Sequence, residues 1–173
     1  MNVVLTGFMG AGKSTTGKRL AKLLGVRFVD VDAEIERRHG PIADIFARQG
    51  EPSFREIEAD VIRELGSGAP CVAALGGGAV LDPANRAELR RHSYVVNLRI
   101  SPRAAHRRVA HRIHRPLLGT KPDLATVTAL LGERAEAYAD CDLSIAVDRR
   151  SATQTASIIA RWYHDQEPET AKQ

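Results

Sequence analysis

Five short runs with apolar positions read as strands, at residues 2–6, 27–31, 71–75, 94–99 and 143–147, and the stretches between them carry helical spacing. The first, third and fourth runs are almost continuously apolar, as parallel strands covered on both faces should be. Strands alternating with helices predict an α/β sheet with right-handed crossovers. Behind the first run, residues 16–24 place Leu20, Leu23 and Leu24 on one helical face and Lys18 and Lys22 elsewhere. Two stretches break the alternation. Residues 32–67 are helical in pattern but too long for a simple crossover, which predicts a substrate-binding insertion. Residues 111–122 contain Arg115-Pro116-Leu117-Leu118-Gly119. Pro116 disfavours helix at Arg115, so a helix from Pro102 should end there and give way to a lid. The polar tail, 165–173, should fray. No internal repeat or linker divides residues 1–173, which predicts one domain.

The junction of the first strand and helix carries the sharpest chemical signal. Gly7-Phe8-Met9-Gly10-Ala11-Gly12-Lys13-Ser14 has the spacing G-x-x-x-x-G-K-[ST] of a phosphate-binding loop. Glycines let the backbone curl round an anion with its N–H groups turned inward. The helix N-terminus that follows adds partial positive charge. Gly10, Ala11, Gly12 and Thr15 then belong to a nucleotide-phosphate cradle. Lys13 reaches the outer phosphates, and the Ser14 hydroxyl holds Mg²⁺.

Composition narrows the function classes. The charge is +4, carried by 20 Arg against 5 Lys. A basic balance could suit nucleic acid, but no aromatic-interleaved basic stretch is present, with one Trp, three Tyr and four Phe in all. Arginine forks for small phosphates and carboxylates fit better. No apolar run approaches the roughly 20 residues of a membrane span, and no export signal is legible at the N-terminus. Cys71 and Cys141 have no metal or redox spacing, so the cytoplasm is the expected compartment. His106, His111 and His114 have no chelating spacing either.

Further candidates lie beyond the loop. Asp30 and Asp32 close the second strand; residues two apart in extended chain point the same way, toward the strand ends where parallel sheets bind ligands. One could meet Mg²⁺ through water and the other accept a substrate hydroxyl, or one could simply cap the next helix. Arg55 and Glu58 share a helix face, where a weak surface ion pair is the default. Gly76-Gly77-Gly78 ends the third strand, suiting close approach of a ligand to the backbone.

Taken in order, these motifs resemble the shikimate kinase family from Val3 to about Trp162. The set comprises the phosphate loop, Phe28-Val29-Asp30-Val31-Asp32, Gly50-Glu51-x-x-Phe54-Arg55, Leu75-Gly76-Gly77-Gly78-Ala79, Arg115-Pro116-Leu117-Leu118, and Arg134 followed by Tyr138. The resemblance implies a P-loop, nucleoside-monophosphate-kinase-like three-layer sandwich with a five-stranded parallel sheet in order 2-3-1-4-5. It implies transfer of the ATP γ-phosphate to the 3-hydroxyl of shikimate with Mg²⁺, by a monomer, in aromatic amino-acid biosynthesis. By that resemblance Asp32 binds the shikimate hydroxyls and is the candidate base. Arg55 and Arg134 clamp the carboxylate, Gly77 and Gly78 give backbone contacts, and Glu58 orients Arg55. Arg115 reaches the transferring phosphates, and Arg108 lies near the nucleotide. Asp30 meets Mg²⁺ through water beside Ser14.

Three positions depart from the family pattern. His39-Gly40-Pro41-Ile42 is one residue shorter than the usual Gly-x-Ser/Thr-Ile and lacks its hydroxyl cap. Glu136 stands where a proline is frequent, and Asp148-Arg149-Arg150-Ser151 also lacks one. A gluconate-type sugar-acid kinase is the competing enzyme; the Asp-x-Asp, Phe-Arg and Gly-Gly-Gly set weighs against it. A non-catalytic relative should have lost Lys13, Asp32 or the lid arginine, and all are present.

Overall fold

The computed structural model describes residues 1–109 and 123–166. Five strands, β1 (Asn2–Thr6), β2 (Arg27–Asp30), β3 (Cys71–Ala74), β4 (Ser93–Arg99) and β5 (Leu143–Ala146), form one sheet. Its order is β2-β3-β1-β4-β5, and every pairing is parallel. Each run predicted a strand to within one residue at either end. The central β1 is buried along its whole length, flanked by β3 through Val3↔Val72 and by β4 through Val3↔Tyr94. Asn2 ties the lower end together: its Nδ2 donates to Leu65 O at 2.8 Å, and its Oδ1 accepts from Cys71 N at 2.9 Å.

Around the sheet lie α1 (Lys13–Leu24), α2 (Val31–His39), α3 (Ile42–Ser67), α4 (Pro83–His92), α5 (Pro102–Val109), α6 (Leu124–Glu133), α7 (Ala135–Ala139) and α8 (Ala152–Gln166). Helix α1 buries Leu20 and Ala21 and packs on α8. At Gly17 it comes so close to β2 that a Cβ would stand 2.4 Å from Phe28 Cε2. The stretch 32–67 resolves into α2 and α3. Within α3 the chain breaks helical geometry at Gly50 (φ 80°, ψ 173°), just before Pro52, where no L side chain sits comfortably. Helix α8 continues through Asp165 and Gln166, two residues beyond the expected start of fraying. The expected lid, 111–122, with Arg115, His111 and His114, lies outside the described residues, as does the tail from 167.

At the junction between α2 and α3 a side chain from the preceding helix takes the place of a cap. Pro41 gives α3 no side-chain cap. Glu36, from the last turn of α2, instead accepts from Ile42 N at 3.3 Å through Oε1, supplying a carboxylate where a helix N-terminus favours one.

On the outer face, Glu34 bridges Arg37 (2.8 Å) and Arg38 (2.7 Å), and Arg38 continues to Glu64 at 2.7 Å. Hydrogen bonds from Arg37 and Arg38 pull the Glu34 carboxyl down to about 2. A depressed carboxyl contributes stability above its unfolded value, near 4.5, and loses it as pH falls toward 2. The cluster is exposed, so the gain is small and salt-screened. Thermal melts of the wild type and Glu34→Gln should differ most at pH 6 in low salt and converge toward pH 3. An unchanged difference across that range would remove the ion pairs as its cause.

Candidate active site

The loop between β1 and α1 is shaped by contacts its glycines alone permit. Gly7 (φ 131°) lies so close to β4 that a Cβ would meet Leu98 O at 2.5 Å. Gly12 (φ 87°) is the N-cap of α1, and the first turn of that helix has no acidic residue. The helix thus brings no carboxylate of its own to compete for its N-terminal N–H groups and dipole. The Lys13 Nζ folds back over the loop, donating to Gly7 O at 2.7 Å and Phe8 O at 3.4 Å. Arg108 braces the same loop from α5: its guanidinium donates to Gly10 O at 3.0 Å and Val147 O at 3.2 Å.

A cavity of about 460 Å³ opens over this loop. Its lining includes Gly10, Ala11, Gly12, Lys13, Ser14 and Thr15, together with Asp30, Asp32, Leu75, Gly77 and Arg108. Every phosphate-side residue expected from the sequence, among the described ones, thus lines this cavity. The Ser14 hydroxyl donates to Asp30 Oδ2 at 2.6 Å. Asp30 also accepts from Ala33 N at 3.4 Å and caps α2. The helix begins at Val31, so Asp32 sits in its first turn and not in extended chain. Strand alternation therefore does not explain the pair. The helical turn brings Asp32 to the cavity instead, and the capping role falls to Asp30.

A second cavity, about 380 Å³, adjoins the first. Its walls include Met9, Ile42, Phe46 and Phe54 on the apolar side and Asp32, Glu36, Arg55, Glu58 and Arg134 on the polar side, with Gly76, Gly77 and Gly78 also lining it. Phe46 and Phe54 meet at 4.8 Å between ring centroids. Asp32 and Gly77 line both cavities.

The basic groups of this second cavity are fixed from behind. Arg55 donates to Glu58 Oε2 at 2.6 Å and to Glu51 Oε1 at 2.9 Å. Glu58 is fully buried, which corrects the expectation of a weak surface pair: α3 turns it into the protein, where screening by water is lost. Burial pushes the Glu58 carboxyl up, against the pull of Arg55. Its Oε1 and Asp32 Oδ1 both lie 2.8 Å from where a Cβ on Gly76 would stand, so Gly76 leaves room for two converging carboxylates. Arg134, at the α6–α7 junction, is 6 % exposed. It donates to Gly77 O at 3.2 Å, and its Nε has no hydrogen-bond partner among the described residues. A buried guanidinium with a spare donor is suited to a planar anion.

Several wall residues lie outside the site candidates read from the sequence, Glu36, Met9, Arg150 and Thr155 among them. Glu36 had a signal, since it lies one helical turn after Asp32; the others come from separate elements. Among the described residues no cluster of three or more His, Cys, Asp or Glu could hold a metal, and no helix is long and apolar enough to cross a membrane.

Many known proteins are similar to this chain in sequence and fold. The family model described as Shikimate kinase matches residues 9–163. The shikimate kinase of Geobacter sulfurreducens is 46 % identical over 165 residues, covering 95 % of this chain and 91 % of that protein. That of Nitrobacter winogradskyi is 47 % identical over 146 residues, covering 84 % and 68 %. A solved structure of the Acinetobacter baumannii shikimate kinase in complex with shikimate superposes with a TM-score of 0.90 at 35 % identity, covering 97 % of this chain and 95 % of the other. By the extent and identity of these matches, the chain belongs to the shikimate kinase family.

Proposed function

We infer that the chain transfers the γ-phosphoryl group of ATP to the 3-hydroxyl of shikimate, releasing ADP and shikimate 3-phosphate, a step in aromatic amino-acid biosynthesis. The observation that carries this reading is the pair of adjoining cavities sharing Asp32 and Gly77. One is a phosphate cradle. The other offers carboxylates, guanidinium groups and an apolar wall to a small polyol acid. Phosphoryl transfer needs in-line positioning and charge stabilisation above all, and a shared boundary provides the meeting point.

In this reading Lys13 and the loop amides hold the phosphates, with Arg108 keeping the loop in place. Ser14 and Asp30 fit a hard divalent cation, being two oxygen donors 2.6 Å apart beside the phosphate cradle. When bound there, Mg²⁺ supplies charge neutralisation at the phosphate oxygens. Asp32 accepts the proton of the acceptor hydroxyl. Arg55 and Arg134 hold the acceptor carboxylate, Glu58 fixing Arg55 and Gly77 and Gly78 forming the floor. Phe46 and Phe54 cover the apolar face of the ring. Arg115 is assigned to the transferring phosphates by family resemblance. The enzyme is read as a cytoplasmic monomer with no nucleic-acid or membrane partner.

A coupled assay of ADP release with shikimate, gluconate and nucleoside monophosphates tests the reading. ADP should form with shikimate and only with Mg²⁺ present. Gluconate or a nucleotide turned over with equal or greater kcat/KM would overturn it. Arg55→Lys and Arg134→Lys should each lower kcat/KM for shikimate at least about tenfold, roughly 1.4 kcal/mol, since lysine keeps charge but loses the planar fork. The KM for ATP should barely move. Wild-type shikimate KM in both variants would misplace the clamp.

Gly78→Ala provides a test with little backbone strain. Gly78 has φ −103°, open to any residue, yet a Cβ would stand 2.6 Å from Arg55 Nη2. The side chain of Arg55 should move aside. Shikimate KM is expected to rise several-fold with little change in Tm. A normal KM would mean that Arg55 is not held against the floor when the acceptor binds.

A further inference from the structure

Tyr138 belongs to a motif that the proposed chemistry leaves unused. It is 5 % exposed and lies one turn after Arg134 on the single-turn helix α7, with Tyr138 N bonded to Arg134 O at 3.0 Å. The spacing of four puts both side chains on one face, and both reach the same atom. Tyr138 Oη donates to Gly77 O at 2.6 Å, and Arg134 Nη1 donates to it at 3.2 Å. Burial raises the Tyr138 phenol, against the pull of Arg134, so the hydroxyl stays a donor at working pH.

A carbonyl has two lone pairs and can accept both bonds. The two donors are unequal in what else they could do. The Arg134 fork has a further donor, Nε, without a partner among the described residues, whereas the phenol has a single proton, already committed. If Arg134 turns toward a bound carboxylate, Gly77 O keeps its shorter bond. The turn it belongs to is braced in the same way downstream: Asn85 Nδ2 donates to Ala79 O at 2.9 Å, and Arg86 Nη1 donates to Val80 O at 2.8 Å.

We propose that Tyr138 is a positioning residue that holds the Gly77 carbonyl so that Arg134 can be released to the acceptor carboxylate without leaving that carbonyl unmet. The proposal rests on Arg134 being the carboxylate clamp. Without the hydroxyl, Arg134 becomes the sole side-chain donor to Gly77 O, and binding the acceptor must then break that bond.

The test is Tyr138→Phe, which keeps the ring and its packing, assayed with shikimate and with its methyl ester, whose carboxyl carries no charge to draw Arg134 away. The ester's affinity is read as KM or, where turnover is slow, as its inhibition constant against shikimate. Shikimate KM should rise about five- to tenfold, with kcat and ATP KM within about twofold of wild type, and the ester's affinity should change less than about twofold. A purely structural role would weaken both acceptors by the same factor, and that result overturns the proposal, as does an unchanged shikimate KM. A wild-type enzyme that fails to phosphorylate shikimate would instead sink the functional reading itself. Should Tyr138→Phe prove too unstable to assay, NMR of the wild type decides. On adding shikimate, the Tyr138 hydroxyl proton should remain protected from exchange while the Arg134 guanidinium signals shift. Loss of the hydroxyl signal, or an unmoved Arg134, overturns the hand-off.

Discussion

Asp32→Asn is expected to lose at least about a hundredfold in kcat while still binding nucleotide, the scale of a removed general base. Asp32 stands where the two cavities meet, and an amide there can accept a hydrogen bond but cannot take a proton or carry full charge. The fold should tolerate the change, because Asp30 and not Asp32 caps α2. Nucleotide affinity, read by titration, should stay near wild type, since Lys13, Ser14 and the loop amides are untouched. Turnover within about threefold of wild type would reduce Asp32 to a wall residue and move the search for the base elsewhere.

Glu58→Ala should cause the largest loss of stability among the site variants. The Glu58 carboxylate is fully buried and 2.6 Å from the Arg55 guanidinium. Removing one partner of a buried pair typically costs about 3–5 kcal/mol. Arg55 is a quarter exposed and keeps Glu51, which places the expected loss at the lower end, about 3 kcal/mol. For a protein of this size that lowers Tm by roughly 6–12 °C. Glu58→Gln preserves shape and a carbonyl acceptor for Arg55, so its Tm should fall much less. Its shikimate KM should still rise, because a neutral amide holds the guanidinium less firmly. Equal melting temperatures for the alanine variant and the wild type would falsify the view that this pair supports the floor of the acceptor cavity.

The contrast between Glu58 and the strands shows which physics a sequence displays. The strands were legible because parallel strands are covered on both faces, and runs such as Val3-Val4-Leu5 and Cys71-Val72-Ala73-Ala74 need no neighbour to identify them. The phosphate loop was legible because its chemistry is local, confined to consecutive residues. An acid and an arginine three apart, by contrast, look the same on a solvent face and in a core; only the packing of α3 distinguishes them. Asp32 was assigned to the site through strand geometry, yet a helical turn delivers it, because α2 starts one residue earlier than the second run suggested. Glu36 capping α3 and Tyr138 reaching Gly77 depend on elements that meet only after folding. Spacing places each on a helical face shared with a site residue, but says nothing of Ile42 or Gly77 as the partner.

The place of β1 in the sheet also bears on how the molecule is made. The first strand in the chain is the middle strand of the sheet, and its partners are Val72 and its neighbours on one side and Tyr94 and its neighbours on the other. During synthesis at roughly 5–20 residues per second, this apolar segment therefore waits about 5–20 s for both flanking strands. Long-range parallel pairing of this kind is slow and leaves sticky intermediates. The same delay applies to the phosphate loop, whose Gly7 packs on Leu98. Nucleotide can help only a chain already ordered as far as β4, so ATP should slow unfolding far more than it speeds the early stages of refolding.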